Sequence, residues 1–133
     1  MPPPPTDEIA STTRTYVAPS PYGGRGVFAA EPIAAGEVVE VAPVLVVEAD
    51  EIEALNGTAL RDHWYGWGDD GDAAVGLGHA SLYNHAADPS CDYEAHDTID
   101  ALVLVARRAI AVDEELTIDY TGGGVNELWF DPR

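Results

Sequence analysis

Short runs of alternating apolar and polar residues make up most of this chain. Alternation with a period of two is typical of strands with one buried face, and β-branched and aromatic residues are frequent in these runs. The predicted strands are residues 14–17, 26–29, 38–47, 63–67, 73–77, 93–96, 99–106 and 115–120. The turn-forming cluster Asp-Asp-Gly-Asp at residues 69–72 joins the fourth and fifth strands, which predicts a β-hairpin.

Helical periodicity is confined to one short segment. Residues 50–55 begin with a capping aspartate and carry spaced apolar side chains, so they predict a helix of about two turns. Asn56-Gly57 ends it. Pro43 lies inside the longest strand and predicts a bend or a sheet edge there. The whole pattern predicts a mainly β domain with one or two short helices.

The length of 133 residues fits one domain. Residues 1–12 are rich in proline and then in serine and threonine, which predicts a mobile tail. The folded domain is expected over 13–121, with 122–133 as a short C-terminal segment after it. No apolar run reaches the length of a membrane span, and the N-terminus lacks the pattern of a signal peptide, so we expect a cytoplasmic protein that does not enter a membrane.

The charge balance is strongly acidic. Twenty-four Asp and Glu residues face six basic residues, all arginine, for a net charge of −18. Nucleic acid is not expected as a direct partner, because phosphate contacts need clustered basic residues and only Arg107-Arg108 are adjacent. Two explanations stay open: attraction of a basic protein, or adaptation to a salt-rich (halophilic) cytoplasm. At 1 M salt the Debye length is about 3 Å, so long-range attraction of a basic protein would be weak there.

Cysteine and histidine usage does not favour a metal site. Cys91 is the single cysteine, which excludes an internal disulfide and a cysteine-based zinc cluster. A set made of His79, His85, Cys91 and His96 matches no standard ligand spacing. We therefore expect no metal.

Three segments carry candidate chemistry. Residues 22–29 hold three glycines, which allow positive φ and let a ligand contact bare backbone; a strand follows, so no helix N-terminus is offered to a phosphate. Residues 78–93 contain an Asn-His pair that can offer an amide and an imidazole to a polar ligand. Residues 113–122 read as a strand ending at a glycine. Taken alone, each segment is better explained as an ordinary turn or strand.

In this order, the segments resemble the SET family of protein-lysine methyltransferases, over roughly residues 16–120. The matching motifs are Gly24-Arg25-Gly26 for the family's G-x-G, Asn84-His85 with Pro89 for N-H-x-x-x-P-N, and Glu115-Leu116-Thr117-Ile118-Asp119-Tyr120 for E-L-x-x-D-Y. The resemblance implies a β-clip fold of short-stranded sheets with a C-terminal pseudoknot. Carbohydrate-related SAF domains share a similar glycine-rich opening but lack the other two motifs.

The resemblance also implies a site. S-adenosyl-L-methionine is the expected cofactor, and Tyr120 is the expected catalytic residue, which aligns a neutral lysine amine for in-line methyl transfer. The residues expected around the cofactor are Gly24, Arg25, Gly26, Asn84, His85 and Trp129. Because a free lysine has a pKa of about 10.4, we expect an alkaline pH optimum.

A substrate channel is expected from aromatic and aliphatic residues. Tyr65 and Trp67 resemble the family's aromatic wall, although core packing explains Trp67 equally well. Ile118 stands where many relatives carry the Phe or Tyr that limits methyl number, so we expect more than monomethylation. The resemblance also implies a C-terminal segment that closes the site, and here this segment is short and contains Trp129 and Phe130. Closure of the site would therefore depend on hydrophobic contacts or on the partner subunit of a homodimer.

Two departures from the family pattern stand out. Ser81 occupies a position where the family often has Arg, and Ser90 replaces the Asn after Pro89. They favour the alternative of a catalytically inactive SET-like module that binds a basic protein through its acidic face. The chain contains no lysine, so the expected acceptor is a lysine of another, basic protein.

Overall fold

The computed structural model describes residues 14–96 and 98–120. The predicted tail at 1–12 and the closing segment at 122–133, with Trp129 and Phe130, lie outside the described residues. Within the described ranges no helix has the length and apolar character needed to cross a membrane.

Nine strands and one short helix make up the described chain. The strands are β1 Thr15–Pro19, β2 Arg25–Ala29, β3 Val38–Val47, β4 Trp64–Trp67, β5 Asp72–Gly76, β6 Asn84–His85, β7 Cys91–His96, β8 Ala101–Ala106 and β9 Glu115–Ile118. Helix α1 spans Ile52–Leu55 and is preceded by a 3-10 turn at Ala49–Glu51; a second 3-10 turn spans Ala80–Leu82. The mainly β prediction is confirmed.

The strands form two sheets. One has the order β1-β2-β9-β6 and the other has the order β4-β5-β3-β8-β7. All pairs are antiparallel except β6 and β9, which run parallel. β9 therefore lies between β2 and β6, and it brings the last described segment of the chain against two earlier ones.

Pro43 lies at a junction inside β3. The first half of β3 pairs with β8 as far as Pro43, and the second half pairs with β5 from Val44 onward. A proline cannot donate to a ladder, so it is tolerated where the strand changes partner. The predicted irregularity at Pro43 is therefore found in the central strand of a sheet and not at a sheet edge.

Buried apolar side chains form two clusters. The main core includes Val27, Val39, Leu102, Leu104 and Leu116 from facing strands of both sheets. A second cluster lies on the other side of the β4–β5 hairpin. It consists of Leu55, Ala73 and Val75, with Val47, Ile52 and Trp64 packed against them, and is called the second cluster below.

The predicted strands agree with the observed ones apart from shifts of a few residues at their ends. Two elements were not predicted: β6, which is only two residues long, and the 3-10 turn before it. Both lie in the segment read as a loop around Asn84-His85. Such short elements carry no periodicity, so only their tertiary partners define them.

Candidate active site

The glycine-rich segment forms a tight turn with accessible backbone. The Ser20 amide donates to the Gly24 carbonyl (2.9 Å) and the Gly23 amide donates back to the Ser20 carbonyl (3.1 Å). Gly23 and Gly24 have φ of 102° and 63°, a region that favours glycine. A Cβ at Gly24 would have no other atom within 4 Å, so a ligand can approach this backbone.

Gly26 has a different role from Gly24. It is buried in β2, and a Cβ there would overlap the Glu115 carboxylate and lie 3.0 Å from the Asn84 amide nitrogen. Gly26 therefore lets the glycine-rich turn, β6 and β9 approach one another closely.

A polar network joins the three motif segments. Asn84 Nδ2 donates to the Arg25 carbonyl (3.1 Å) and to Glu115 Oε2 (2.7 Å). The Ser20 hydroxyl donates to Glu115 Oε1 (2.8 Å). Both amide protons of Asn84 are thus used within the protein. In the part of the chain that the structure describes, no hydrogen bond is donated to its Oδ1, which can therefore accept one from a ligand.

His85 is oriented by the residues that follow β9. β6 pairs with β9 so that Asn84 lies opposite Thr117 and His85 lies opposite Ile118. The Tyr120 amide donates to His85 Nδ1 (3.0 Å). Because Nδ1 accepts this bond, the neutral ring carries its proton on Nε2, and the 3.7 Å approach of the Asp119 carboxylate to Nδ1 is not an ion pair in that state.

The Tyr120 side chain is half-buried beside the Asn-His pair. Its hydroxyl donates to the Tyr83 carbonyl (2.5 Å), and its ring centroid is 5.2 Å from that of His85. Predicted strand 115–120 ends at Ile118, so Asp119 and Tyr120 leave the strand. Outside the strand, the Tyr120 phenol reaches Tyr83, the residue just before Asn84.

Two more tyrosines lie close to Tyr120. The Tyr65 hydroxyl donates to the Ala80 carbonyl (2.7 Å), and the Tyr93 ring meets the Tyr65 ring edge to face, with centroids 5.0 Å apart. Burial, and then the neighbouring Tyr120 and Tyr93, raise the pKa of Tyr65 well above 10. Burial and then Asp119 raise the pKa of Tyr93. Both phenols therefore stay protonated at neutral and mildly alkaline pH.

The two departures from the family pattern have structural partners. The Ser90 hydroxyl accepts the Thr117 amide (3.0 Å), and the Ser90 amide donates to the Thr117 hydroxyl (3.1 Å). Ser90 is fully buried, so this double link ties the start of β7 to β9. The Ser81 hydroxyl accepts the Gly76 amide (2.9 Å) and holds the 3-10 turn against β5. Both serines stabilise the region around Asn84.

The structure brings together most of the predicted site residues. Tyr65 lies close to Tyr120. Six predicted residues lie around the paired strands β6 and β9: Gly24, Arg25, Gly26, Asn84, His85 and Tyr120. Trp67 and Ile118 are 7% and 2% exposed and belong to the main core, so their predicted channel contacts stay predictions. Trp129 lies outside the described residues.

Three residues that line or support the site were missed by sequence reasoning: Tyr93, Glu115 as the centre of the polar network, and Glu40, whose carboxylate accepts the Tyr83 hydroxyl (3.0 Å). A usable signal existed for Glu40, because it is a single charge within the apolar run Val-Val-Glu-Val. Glu115 was quoted only as part of a motif, and its partners Ser20 and Asn84 are remote in sequence. Tyr93 gave only the alternation of an ordinary strand.

Two histidines of the set that matches no zinc spacing, His79 and His85, form hydrogen bonds within the protein. His79 Nδ1 is 2.7 Å from the Thr15 hydroxyl, and His85 Nδ1 accepts the Tyr120 amide. Among the described residues, the group close enough to share a metal is Glu48, Asp50 and Glu51, all exposed and unrelated to the site. Such surface carboxylates are common without an ion.

Comparisons with known proteins converge on one family. The family model described as "SET domain" matches residues 24–121. A Schizosaccharomyces pombe protein named histone-lysine N-methyltransferase, H3 lysine-37 specific, is 34% identical over 109 residues, which cover 81% of this chain and 71% of the relative. The crystal structure of a candidate histone methyltransferase from Plasmodium falciparum superposes with a TM-score of 0.66 at 26% identity, covering 82% of this chain and 94% of the other.

Proposed function

The chain belongs to the SET-domain family, and from this premise we propose that it transfers methyl groups from S-adenosylmethionine to lysine side chains of another protein. The observation that carries the proposal is the parallel pairing of β6 with β9. There the Tyr120 phenol, the Asn84 amide and the His85 imidazole lie within one small region, although they come from segments about 35 residues apart, as the bond from Tyr120 to His85 indicates.

The residues around the paired strands β6 and β9 fit the proposed cofactor. The open backbone at Gly24 can receive a ligand without steric conflict, and Asn84 Oδ1 is available to accept from an ammonium or amino group. Arg25 is exposed and can meet a carboxylate. When bound, S-adenosylmethionine supplies an electrophilic methyl on a sulfonium that a neutral amine can attack in line.

Tyr120 is the proposed positioning group for the amine. Its proton is directed to the Tyr83 carbonyl, so towards the lysine N–H the hydroxyl oxygen acts as an acceptor. Such orientation lowers the barrier chiefly by fixing the approach geometry. The Tyr65 and Tyr93 rings offer apolar, electron-rich faces to the lysine stem.

The reaction rate is expected to rise with pH. Attack needs a neutral amine, and the substrate lysine is mostly protonated at neutral pH. The raised pKa values of Tyr65 and Tyr93 keep these phenols neutral while the lysine loses its proton. We propose an optimum above pH 8; a rate that falls steadily from about pH 7 to pH 9 would contradict it.

The proposed substrate is basic. The net charge of −18 attracts a positively charged protein at low salt, and the absence of lysine in this chain excludes methylation of its own side chains. The S. pombe relative is named for histone H3 lysine 37. For this chain we propose the broader class, a lysine flanked by basic residues, whose methylation weakens as salt rises.

A labelled-methyl assay tests the proposal. The protein, labelled S-adenosylmethionine and lysate from the source organism are combined, and the acceptor is identified by mass spectrometry. Tyr120→Phe should lower the rate on the order of 100-fold, because it removes the group that orients the amine. Tyr16→Phe is the matched control: the Tyr16 hydroxyl donates to Asp113 at an exposed position (2.8 Å), so its loss should leave the rate within about twofold.

Two results would overturn the proposal. One is transfer that survives Tyr120→Phe at the level of the control. The other is no transfer by the unaltered protein together with tight binding of a basic protein, which would establish the inactive binding module instead.

A further inference from the structure

Glu40 is a buried carboxylate that has no place in the chemistry described above. It lies in β3 and is 2% exposed. Its Oε2 accepts the His79 amide (2.8 Å) and its Oε1 accepts the Tyr83 hydroxyl (3.0 Å). Burying a carboxylate is unfavourable unless hydrogen bonds compensate, so the fold commits two directed donors to this one group.

These two bonds join the ends of a five-residue segment, residues 79–83, called the tyrosine-accepting segment below. Its first residue donates its amide and its last residue donates its side-chain hydroxyl to the same carboxylate. Gly78 precedes the segment with φ of 62°, and a Cβ there would lie 2.7 Å from Glu40 Oε2. Glycine at 78 therefore leaves the room that the Glu40 carboxylate needs.

The tyrosine-accepting segment accepts the hydroxyl protons of two of the three tyrosines in the proposed reaction, Tyr65 and Tyr120. The Ala80 carbonyl accepts the Tyr65 hydroxyl (2.7 Å), and the Tyr83 carbonyl accepts the Tyr120 hydroxyl (2.5 Å). A displacement of the segment would move both acceptors together. The direction in which each phenol points its proton, and hence its lone pairs, depends on where these two carbonyls lie.

We propose that Glu40 is a positioning residue for methyl transfer, which fixes the Tyr65 and Tyr120 hydroxyls through the tyrosine-accepting segment. This inference rests on the proposed function. Glu40 does not touch the reacting atoms, and it acts through the two ends of the segment.

Variants of Glu40 and Tyr83 separate the effect of the hydrogen bonds from the effect of the charge. In Glu40→Gln, the amide oxygen can accept the His79 amide, and the amide nitrogen can donate to the Tyr83 oxygen. A hydrogen bond at each end of the segment is therefore kept while the charge is removed. Tyr83→Phe removes one tie and leaves the ring in the core. Glu40→Ala removes both ties and also leaves a cavity, so Tyr83→Phe is the cleaner variant if Glu40→Ala does not fold.

Kinetics give the first test. Glu40→Gln should retain at least about one third of kcat, whereas Tyr83→Phe should lower kcat about 10-fold with both KM values within about twofold, because only the alignment of the amine is impaired. Leu55→Ala is the matched control, since it destabilises the second cluster away from the segment and should leave kcat unchanged below its melting temperature. A kcat in Tyr83→Phe equal to that of Leu55→Ala would overturn the inference.

NMR gives a second test that does not depend on activity. Tyrosine labelled with ¹³C at Cζ reports the hydrogen-bond state of each hydroxyl, and the six signals are assigned with Tyr→Phe variants. In Glu40→Ala or Tyr83→Phe, the Tyr65 and Tyr120 signals should shift or broaden, while the Tyr16 signal should not. Unchanged Tyr65 and Tyr120 signals would overturn the inference. If the unaltered protein transfers no methyl, the proposed function fails, and the NMR result alone decides whether Glu40 holds the two hydroxyls.

Discussion

Trp64 and Tyr65 are adjacent in β4 but belong to regions that are held together differently. Side chains alternate across a strand, so Trp64 packs into the second cluster while Tyr65 packs towards the site. The second cluster is joined mainly by apolar contacts, with one hydrogen bond from Trp64 Nε1 to Asn56 Oδ1 (2.9 Å). Around Tyr65, nearly every polar side chain has a specific partner.

The difference shows how stability and function are divided. Apolar contacts are non-directional, so the second cluster stabilises the fold without fixing any one orientation. Hydrogen bonds to Glu40, Glu115 and the carbonyls of residues 80 and 83 define directions to within tens of degrees. Changes in the first region should therefore alter the free energy of unfolding, and changes in the second should alter rate.

The largest expected stability effect is in the second cluster. Leu55→Ala should lower the free energy of unfolding by about 3 kcal/mol, because a buried leucine is replaced by a cavity. Urea denaturation measures the loss, and kcat serves as the paired readout. A lowered kcat at a temperature where the variant is fully folded would show that the two regions are not separate.

Alkaline pH should act on the site region and spare the second cluster. Burial raises the pKa of the Cys91 thiol from 9.0 to about 11, and burial followed by Glu40 raises that of Tyr83 well above 10. The unfolded chain loses these protons first, so their contribution to stability is complete below pH 9 and is lost as pH rises. For Cys91 the loss is about 2 kcal/mol by pH 11.

Urea midpoints at pH 7, 9, 10 and 11 under reducing conditions check this pH dependence. Cys91→Ala removes the titrating thiol, so between pH 9 and 10 its free energy of unfolding should fall by about 1 kcal/mol less than that of the unaltered protein. A parallel decline in both proteins would show that the thiol does not contribute.

The two glycines of the first motif should differ. Gly26→Ala should lower the free energy of unfolding by about 2 kcal/mol and disturb the network, because its Cβ meets Glu115 and Asn84. Gly24→Ala meets no atom and should cost about 1 kcal/mol from its positive φ alone. Thermal or urea unfolding measures the free energy of unfolding that each variant loses. Equal losses would show that the residues around Gly26 move to make room for the added Cβ at no cost.

The smallest effect is expected at Trp64. Trp64→Phe keeps an aromatic ring in the second cluster but removes the bond to Asn56, whose side chain is partly exposed and can turn to water. The expected loss is about 1 kcal/mol with no change in kcat. A loss of activity in this variant would show that β4 transmits changes from one face to the other.

The strands and the motif residues were predictable because their signals are local. Alternation in Val38–Val47 and the glycines before β2 can be read from neighbouring residues. The parallel pairing of Asn84 with Thr117 cannot be read locally, since two residues carry no period and the partner is remote. The same holds for Glu40, whose bonds reach residues 79 and 83. Sequence therefore predicted which residues lie close together better than it predicted the contacts that hold them there.

The central place of β9 has a consequence for synthesis. Both of its neighbours, β2 and β6, leave the ribosome before it, and the site is assembled only when β9 enters between them. The segments close over long loops, which makes this step late and slow relative to hairpins such as β4–β5. A nascent chain that still lacks Glu115–Ile118 should thus lack the assembled site, even though β2 and β6 have already been synthesised.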